Sequence, residues 1–597
     1  MDASLKKILR GISLELRHTL EGWHDKKTGA WNPGDLERRL NEIGAWGDRP
    51  SKPLDEMPHL SAEDKAARRL VDGYLQLRAE AGVERAAAVA EFVRESAYTW
   101  ANRLFALRCM EARSIIEEVI LQKAAYAGRS LVHQRHLRKN PDAAKGEDDG
   151  LFAVFFAEFT VRSQELPALF DPKSPAVALR PSVAALKRCV ALLSGTDTVR
   201  GQEPATDEVF AAPDAFGWAY MYYQDDEKKR VDDWLKTREG FRCEGSDIVP
   251  KTALYTESYM VKFLVQNSLG ALWMGMYPDS RLCDRWEYFV KNADRAPVAR
   301  KPVRDITFLD PAQGSGHFHL EAFDLFYAMY EEEAARDGRT LTPRQICALI
   351  LNDNLYGIDI DGCSLQIAMA VLWMKAKERA DDMEASDLTS FHEHLVATNI
   401  RLPKSKDHLQ LFLQKHPEDE PLRPALELVF QGLEHADEIG SLLKIEELVD
   451  AVLRRLKEEA DKLKGIPVQT RLFGPTLIQG TLPVAVEDYD QWKRAALDRL
   501  LAHFESEAQA TDPVQAFFGE SASKGLTFFI LLARRYDVVA ANPPYMGSKS
   551  MGEELKRYVQ RHYKPGKRDL YAAFILRCID FAQPNGRVAM VTQESWI

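Results

Sequence analysis

The sequence predicts an α/β fold: a parallel sheet of the nucleotide-binding type, preceded by a helical region and interrupted by a helical insertion. Three observations carry this. A short apolar run, Ile306-Thr307-Phe308-Leu309, enters a glycine-rich turn and then a helix. A second run, Asn354 to Asp361, ends in acid, and strand, glycine turn, helix and acid-tipped strand follow the βαβ logic of a nucleotide-type ligand site. A third apolar run, Tyr536 to Ala541, empties into Asn542-Pro543-Pro544-Tyr545, where an amide, two rigid prolines and an aromatic make a poor core and a good site.

Taken in order, residues 1–244 form a helical N-terminal domain. Val89, Val93, Ala97, Trp100, Leu104 and Leu107 recur at helix spacing in the stretch 91–110 and just before it, with Arg94, Arg103 and Arg108 off that apolar face. An acidic loop, Gly146 to Gly150, and a proline-containing segment follow. Residues 245–400 are the first half of the α/β domain, with a helix from about Phe318 and a third strand at Leu395 to Ile400. Residues 401–525 form a mainly helical insertion. There Leu442, Ile445, Val449, Val452 and Leu456 repeat at three-to-four spacing, Glu458 and Lys462 are an i,i+4 pair, and Gly465 and Pro467 stop the pattern. Residues 526–597 are the second half: the strand 536–541, a helix at about 570–581, a turn at Pro584-Asn585-Gly586 and a fifth strand, Arg587 to Thr592, shortly before Trp596-Ile597.

Composition narrows the class. A chain of 597 residues exceeds one comfortable core, and 45% hydrophobic with 28% charged residues is an ordinary soluble balance. No run approaches the roughly 18 apolar residues of a membrane span, and the N-terminus lacks a signal-peptide pattern, so the expected location is cytoplasmic, with no membrane partner. Seven cysteines, never as C-x-x-C, point to neither a disulfide framework nor a metal site. The net charge of −11 argues only weakly against nucleic acid, because a local basic groove suffices. Two basic runs are candidates. His133 to Lys139 fits a solvated helix face better, whereas Lys556 to Arg568 abuts the Asn-Pro-Pro-Tyr motif and fits nucleic acid better.

The turn Asp310-Pro311-Ala312-Gln313-Gly314-Ser315-Gly316 lets the backbone approach a ligand and swing into a helix. It is not a phosphate loop, since no Lys-Ser/Thr follows, and Phe318 and Leu320 exclude the dinucleotide pattern. Alone it is equally well a structural turn. Asp310 suits a ligand with a positive group, and Asp359 is placed to accept two ribose hydroxyls. An acidic loop plus a ribose-reading acid fits S-adenosyl-L-methionine better than a nicotinamide or ATP. Asn542 and its neighbours offer acceptors for an exocyclic amine, and Tyr545 offers a flat face for a planar ring.

Asp310 to Phe318, Tyr356 to Asp361, Asn542 to Tyr545 and Asp569 to Phe574 together resemble the successive motifs of amino-methylating DNA methyltransferases, in the gamma order. Tyr255-Thr256-Glu257 resembles the Tyr-Thr-Pro segment that closes over the cofactor in that class, with Glu257 in place of proline. Gln313 stands where such enzymes often carry Cys or Ala. The resemblance is closer still to the PglX (BrxX) family, the adenine methyltransferases of BREX phage-resistance systems. It extends into the helical region, at Ala97 to Leu104, Phe216 to Tyr223 and Phe263 to Gly270.

The resemblance implies a Rossmann-like S-adenosylmethionine-dependent methyltransferase domain acting on double-stranded DNA, beside other BREX components. It implies catalytic residues Asn542, Pro543, Pro544 and Tyr545. It also implies cofactor-binding residues Tyr255, Thr256, Asp310, Pro311, Ala312, Gly314, Gly316, Phe318, Asp359, Ile360 and Phe574, although Phe574 serves equally well as a core residue. The Asn542 side-chain oxygen and the Pro543 carbonyl would accept the N6 hydrogens of a flipped adenine. No cysteine sits beside a proline as a C5-cytosine enzyme requires. The expected class is therefore a site-specific, adenine-specific DNA methyltransferase. A protein-glutamine or RNA adenine methyltransferase is a rival, as is a non-catalytic DNA-binding or assembly subunit. A methyltransferase sheet has seven strands and this sequence supplies five, so the expectation is an N-terminal portion of a longer or split protein. Its fifth strand would be an open edge, and a separate C-terminal portion would carry target recognition.

Overall fold

The computed structural model describes every residue except 26–27, 81, 173, 294–295, 401–408, 411–412, 415–419, 421–422, 434, 464–488, 509–512 and 595–597. The chain falls into two compact units, Met1–Leu395 with Tyr536–Ile597, and Val396–Arg535.

The first unit opens with helix α1, Ala3–Leu20, capped by the Asp2 carboxylate. A two-stranded antiparallel ladder follows, β1 Gly22–His24 and β2 Trp31–Pro33, in a stretch expected to be helical. Helix α2, Arg85–Ala112, buries Trp100, Leu104 and Leu107 as the spacing requires. Arg103 and Arg108, however, do not stand off the packed surface: each is 1% exposed. Over residues 99–111 the helix is enclosed on all sides. Arg103 lies over the Phe159 ring and donates to the Asp171 carbonyl, and Arg108 donates to the Leu193 carbonyl and pairs with Asp207. Helix α3, Ala215–Tyr223, buries Phe216, Gly217, Ala219 and Tyr220.

The sheet is built from β3 Phe308–Asp310, β4 Leu355–Asp359, β5 Leu395–Ala397, β6 Tyr536–Ala541 and β7 Ala582–Met590. Its order is β5-β4-β3-β6-β7, and the pairs β3–β4, β3–β6 and β6–β7 are parallel. β3, β4 and β6 are nearly continuous apolar runs, as strands covered on both faces must be. Strand order reverses between β3 and β6, the switch point beside which open α/β sheets bind ligands at their carboxyl ends. Helices α4 His317–Arg336 and α5 Gly362–Arg379 follow β3 and β4. At the opposite end of the sheet Asp537 ties β6 to β3, accepting from the Thr307 amide at 2.8 Å and from Lys301 at 2.5 Å.

The second unit is helical where described: α6 Arg423–Leu433, α7 Ile445–Leu463, α8 Tyr489–Ala508 and α9 Pro513–Ala533. Leu442, Ile445 and Val449 are buried as their spacing demands. The Glu458 and Lys462 side chains and the stop signals Gly465 and Pro467 lie outside the described residues, as do Trp596 and Ile597.

After β6 come α10 Glu553–His562 and α11 Leu570–Phe581. The turn expected at Pro584 to Gly586 is a bulge inside a longer strand. Tyr536 pairs with Ala582 and Val538 with Arg587, and Asn585 takes φ +67° to absorb the extra residues. Among the described residues β7 is an edge strand of the sheet, with Val588 38% exposed.

Candidate active site

Parallel pairing sets the carboxyl ends of β4, β3 and β6 side by side, so Asp359, Asp310 and Asn542 come together from far apart in the sequence. Asp310 is 1% exposed. One of its oxygens accepts from the Ala312 amide at 3.0 Å, while Oδ2 is buried without a partner. Burial, and secondarily the neighbouring Asp359, holds its pKa well above the usual carboxylate range. Gly314 and Gly316 take φ +51° and +82°, the left-handed conformation that lets the turn fold back over β3. Gly314 has open space where a Cβ would stand. Phe318 is buried behind the turn, and the Gln313 amide is buried with neither polar atom bonded.

Asp359 spends each oxygen on a backbone donor, the Gly314 amide at 2.8 Å and the Asp361 amide at 2.8 Å. It therefore ties the glycine turn to the end of β4, and a carboxylate oxygen that accepts one hydrogen bond can accept a second from a ligand. Burial first, then the Asp361 charge, push it up to about 6. Ile360 beside it is half-buried. Asp361 is raised by burial too, caps α5 through the Cys363 amide at 3.1 Å, and accepts a hydrogen bond from the Tyr220 hydroxyl of α3. Three clustered carboxylates whose charges are all disfavoured form a site that lacks a cation. The orphaned Asp310 oxygen fits an ammonium group, and paired acceptors at Asp359 fit a diol; S-adenosylmethionine presents both.

On the other side of the switch point, the Asn542 amide nitrogen donates to the Thr256 hydroxyl at 3.0 Å. Its oxygen lies 2.9 Å from the Tyr545 hydroxyl, which also lies 2.9 Å from the Val591 carbonyl. One phenolic proton serves one acceptor at a time, so Tyr545 stands between two. Pro543 is buried and Pro544 half-buried. The loop after Tyr545 is pinned by Asp569, which accepts from the Met546 amide at 3.1 Å and caps α11. Phe574 is 5% exposed on that helix.

Thr256 thus lies beside the Asn-Pro-Pro-Tyr motif. Tyr255 is stacked on His317 at 4.7 Å and packs on Trp218 at 4.4 Å. His317, whose pKa burial lowers to about 4, is neutral near pH 7 and keeps Nδ1 unpaired. His317, Tyr220, Trp218 and Asp361 are site neighbours that sequence reasoning missed as functional residues. The signal for two of them was the aromatic-rich Phe216 to Tyr223 stretch, to which the resemblance attached no role.

The basic runs divide. In the first, His133 is buried and Arg135 is held by both oxygens of Glu117. In the second, Lys556 and Arg557 pair with Glu553 and Glu554. Arg561, Lys564, Lys567 and Arg568 are exposed with no carboxylate in ion-pair reach among the described residues.

Residues 353–597 match the Eco57I restriction-modification methylase family. The chain is 26% identical to the adenine-specific methyltransferase BrxX of Escherichia coli O9:H4 (strain HS), over 85% of its own length and 40% of the relative's. It is also 26% identical to the adenine-specific methyltransferase PglX of Lacticaseibacillus casei (strain Zhang), over 94% of its own length and 44% of the relative's. The chain therefore spans about two-fifths of the length of the curated relatives it matches. A cryo-electron-microscopy structure of a DrdV–DNA complex aligns with 99% of this chain and 36% of that one, at 12% identity and a TM-score of 0.38. The alignment with the second of these relatives, PglX, takes in 94% of the chain and so extends into residues 1–244. The chain is related in sequence to BrxX/PglX-type adenine-specific methyltransferases, and its sheet is that of an α/β methyltransferase fold.

Proposed function

We propose that this chain carries the cofactor-binding and catalytic core of a DNA methyltransferase. The enzyme transfers a methyl group from S-adenosylmethionine to N6 of adenine and marks host DNA in a BREX-type phage-defence system. Double-stranded DNA and other BREX components are its partners, and the cytoplasm is its location. No helix among the described residues is long and apolar enough to cross a membrane. The observation that carries the reading is the Asn542 amide, held by Thr256 and Tyr545 one strand away from a carboxylate cluster that lacks a cation.

S-adenosylmethionine, when bound, supplies an electrophilic methyl group on a sulfonium. Asp310 Oδ2 would receive its ammonium group, and Asp359 its ribose hydroxyls. The rest is the work of the Asn542 side. The N6 amine of adenine is a weak nucleophile because its lone pair is delocalised into the ring. Asn542 Oδ1 and the Pro543 carbonyl accept its two hydrogens and favour a tetrahedral nitrogen whose lone pair faces the methyl. Tyr545 gives up its hydrogen bond to Asn542 without a loss, since the Val591 carbonyl lies at the same 2.9 Å. Its hydroxyl is then a placeholder for the amine, and its ring takes the base. Extruding the base from the duplex costs a few kcal/mol, and aromatic stacking returns roughly 1–3 kcal/mol. Orientation supplies much of the rate, since well-aligned reactants reach effective molarities of about 10⁵ M or more. The unpaired cations Arg561, Lys564, Lys567 and Arg568 lie between the catalytic loop and α11 and suit backbone phosphates.

The test is made in the source cell. Asn542→Ala in the chromosomal gene is expected to erase N6-methyladenine at one sequence motif, read by single-molecule sequencing, while the purified variant keeps the unaltered chain's affinity for S-adenosylmethionine. Methylation that persists in the strain carrying Asn542→Ala rejects the catalytic assignment.

A further inference from the structure

The stretch Phe216 to Tyr223 has no part in the mechanism above, yet it touches the site at three places. Gly217 faces the Tyr255 ring and Ser315 of the glycine turn. A Cβ there would come within 2.5 Å of the ring and 2.6 Å of the hydroxyl, so the helix packs backbone-first against both. Trp218 packs on Tyr255, and the Lys6 ammonium of α1 sits 3.9 Å over Trp218. The Tyr220 hydroxyl, on a residue 7% exposed, donates to Asp361 Oδ2.

The last contact has a consequence for Asp359. The Asp361 backbone amide is one of the two donors that orient the Asp359 carboxylate. The Asp361 side chain is itself fixed at both oxygens, by Tyr220 and by the Cys363 amide that starts α5. A buried carboxylate with one oxygen left bare would turn toward another donor and carry its own backbone with it. The Tyr220 ring is in turn immobilised, because α3 is wedged against α1, α2 and α5 through buried Phe216, Ala219 and Tyr223. Tyr98 of α2 packs on Tyr223 with ring centroids 4.4 Å apart and closes that side.

We infer that helix α3 is a wall of the cofactor site, and that Tyr220 is a positioning residue that sets Asp359 for the ribose hydroxyls of S-adenosylmethionine by holding Asp361. The inference rests on the methyltransferase reading above. It gives the helical region a task inside the cofactor site, and it joins three stretches distant in the sequence: 216–223, 310–316 and 359–361.

The test is the affinity of the 597-residue chain for S-adenosylmethionine and S-adenosylhomocysteine by isothermal titration calorimetry. Tyr220→Phe removes one oxygen and is expected to weaken both ligands about tenfold, as loss of a hydrogen bond to a charged group does. Methylation at saturating cofactor, measured with the enzyme isolated from the source cell, stays within about twofold of the unaltered enzyme, so KM moves and kcat does not. Asp361→Asn gives a similar loss, and adding Tyr220→Phe to it costs nothing more, because both remove one interaction. A merely structural role would lower kcat and affinity together and would add across the pair. Unchanged affinity in Tyr220→Phe overturns the inference. If that variant does not fold, unchanged affinity in Asp361→Asn does so. An unaltered chain that binds neither ligand rejects instead the methyltransferase reading itself.

Discussion

The two sides of the site satisfy their polar groups in opposite ways. On the β3–β4 side, Asp310 keeps a buried oxygen with no partner, and Asp359 and Asp361 sit with it while burial disfavours all three charges. On the β6 side, both ends of the Asn542 amide are bonded, and even the hydroxyl that occupies its oxygen has a second acceptor waiting. The first side is incomplete until a cation arrives. The second is complete and must be opened by exchange. Unmet hydrogen bonds on one side are stored binding energy for a ligand, whereas exchangeable ones on the other allow a substrate to enter and leave at little cost.

The comparison breaks most sharply at Asp310. Asp310→Asn removes a buried acid whose Oδ2 has no partner and keeps the hydrogen bond to the Ala312 amide. The free chain is expected to melt higher wherever the pH ionises this buried acid, because a neutral amide is cheaper to bury than a carboxylate. Affinity for S-adenosylmethionine is expected to fall about 100-fold, because the ammonium loses its counter-charge, and a charge-assisted hydrogen bond is about twice as strong as a neutral one. Thermal melts with and without ligand give both signs in one experiment. A variant that melts lower and binds as before would place the ammonium elsewhere.

A smaller effect is expected on the other side. Thr256→Val keeps the shape of the side chain and removes the acceptor that fixes the Asn542 amide. The amide is then free to rotate its nitrogen toward the incoming amine. A fall in kcat of about tenfold is expected, the equivalent of one hydrogen bond near 1.4 kcal/mol, with cofactor affinity unchanged. A loss of affinity without a loss of rate would assign Thr256 to the cofactor alone, as its resemblance to the Tyr-Thr-Pro segment implied.

What was legible in the sequence follows the same division between local and distant contacts. The glycine turn, the acid after β4 and the Asn-Pro-Pro-Tyr loop are each written in a few consecutive residues. Strand pairing alone then brings them together, so Asp310, Asp359 and Asn542 fall at three neighbouring strand ends of the expected α/β sheet. The bonds that work between them are not local. Thr256 and Asn542 are 286 residues apart, and Tyr220 and Asp361 are 141 apart. No spacing rule reaches so far. The burial of Arg103 and Arg108 was not legible for a related reason. Helix periodicity shows the apolar face of α2 but not that other helices cover its remaining faces, and long cationic side chains are buried there on carbonyls and rings. At 584–586, Pro-Asn-Gly is a correct sign of a sharp bend, but β6 continues alongside and the bend is absorbed as a bulge.

The smallest effect is the proton balance of the carboxylate side. Asp359 has a folded-state pKa of about 6 against 3.8 for an ordinary aspartate, because burial and Asp361 disfavour its charge. Between those values the folded chain binds more protons than the unfolded one. This group's contribution to stability is therefore present below about pH 4 and lost as pH rises through 6. The free chain should melt somewhat higher at pH 5 than at pH 7, and Asp359→Asn should remove that part of the slope. A ribose held by the ionised carboxylate reverses the balance, so S-adenosylmethionine binding near pH 6 should release a fraction of a proton from this group. Its affinity should fall by a few-fold as pH drops from 7 to 5.5. Burial raises Asp310 as well, so the Asp310→Asn variant, which lacks that proton, isolates the phase near pH 6. Calorimetry in two buffers of different ionisation enthalpy measures the proton count directly. A count of zero at pH 6 in the Asp310→Asn variant would mean that Asp359 stays ionised before the ligand arrives, bonded to the Gly314 and Asp361 amides strongly enough to outweigh its burial.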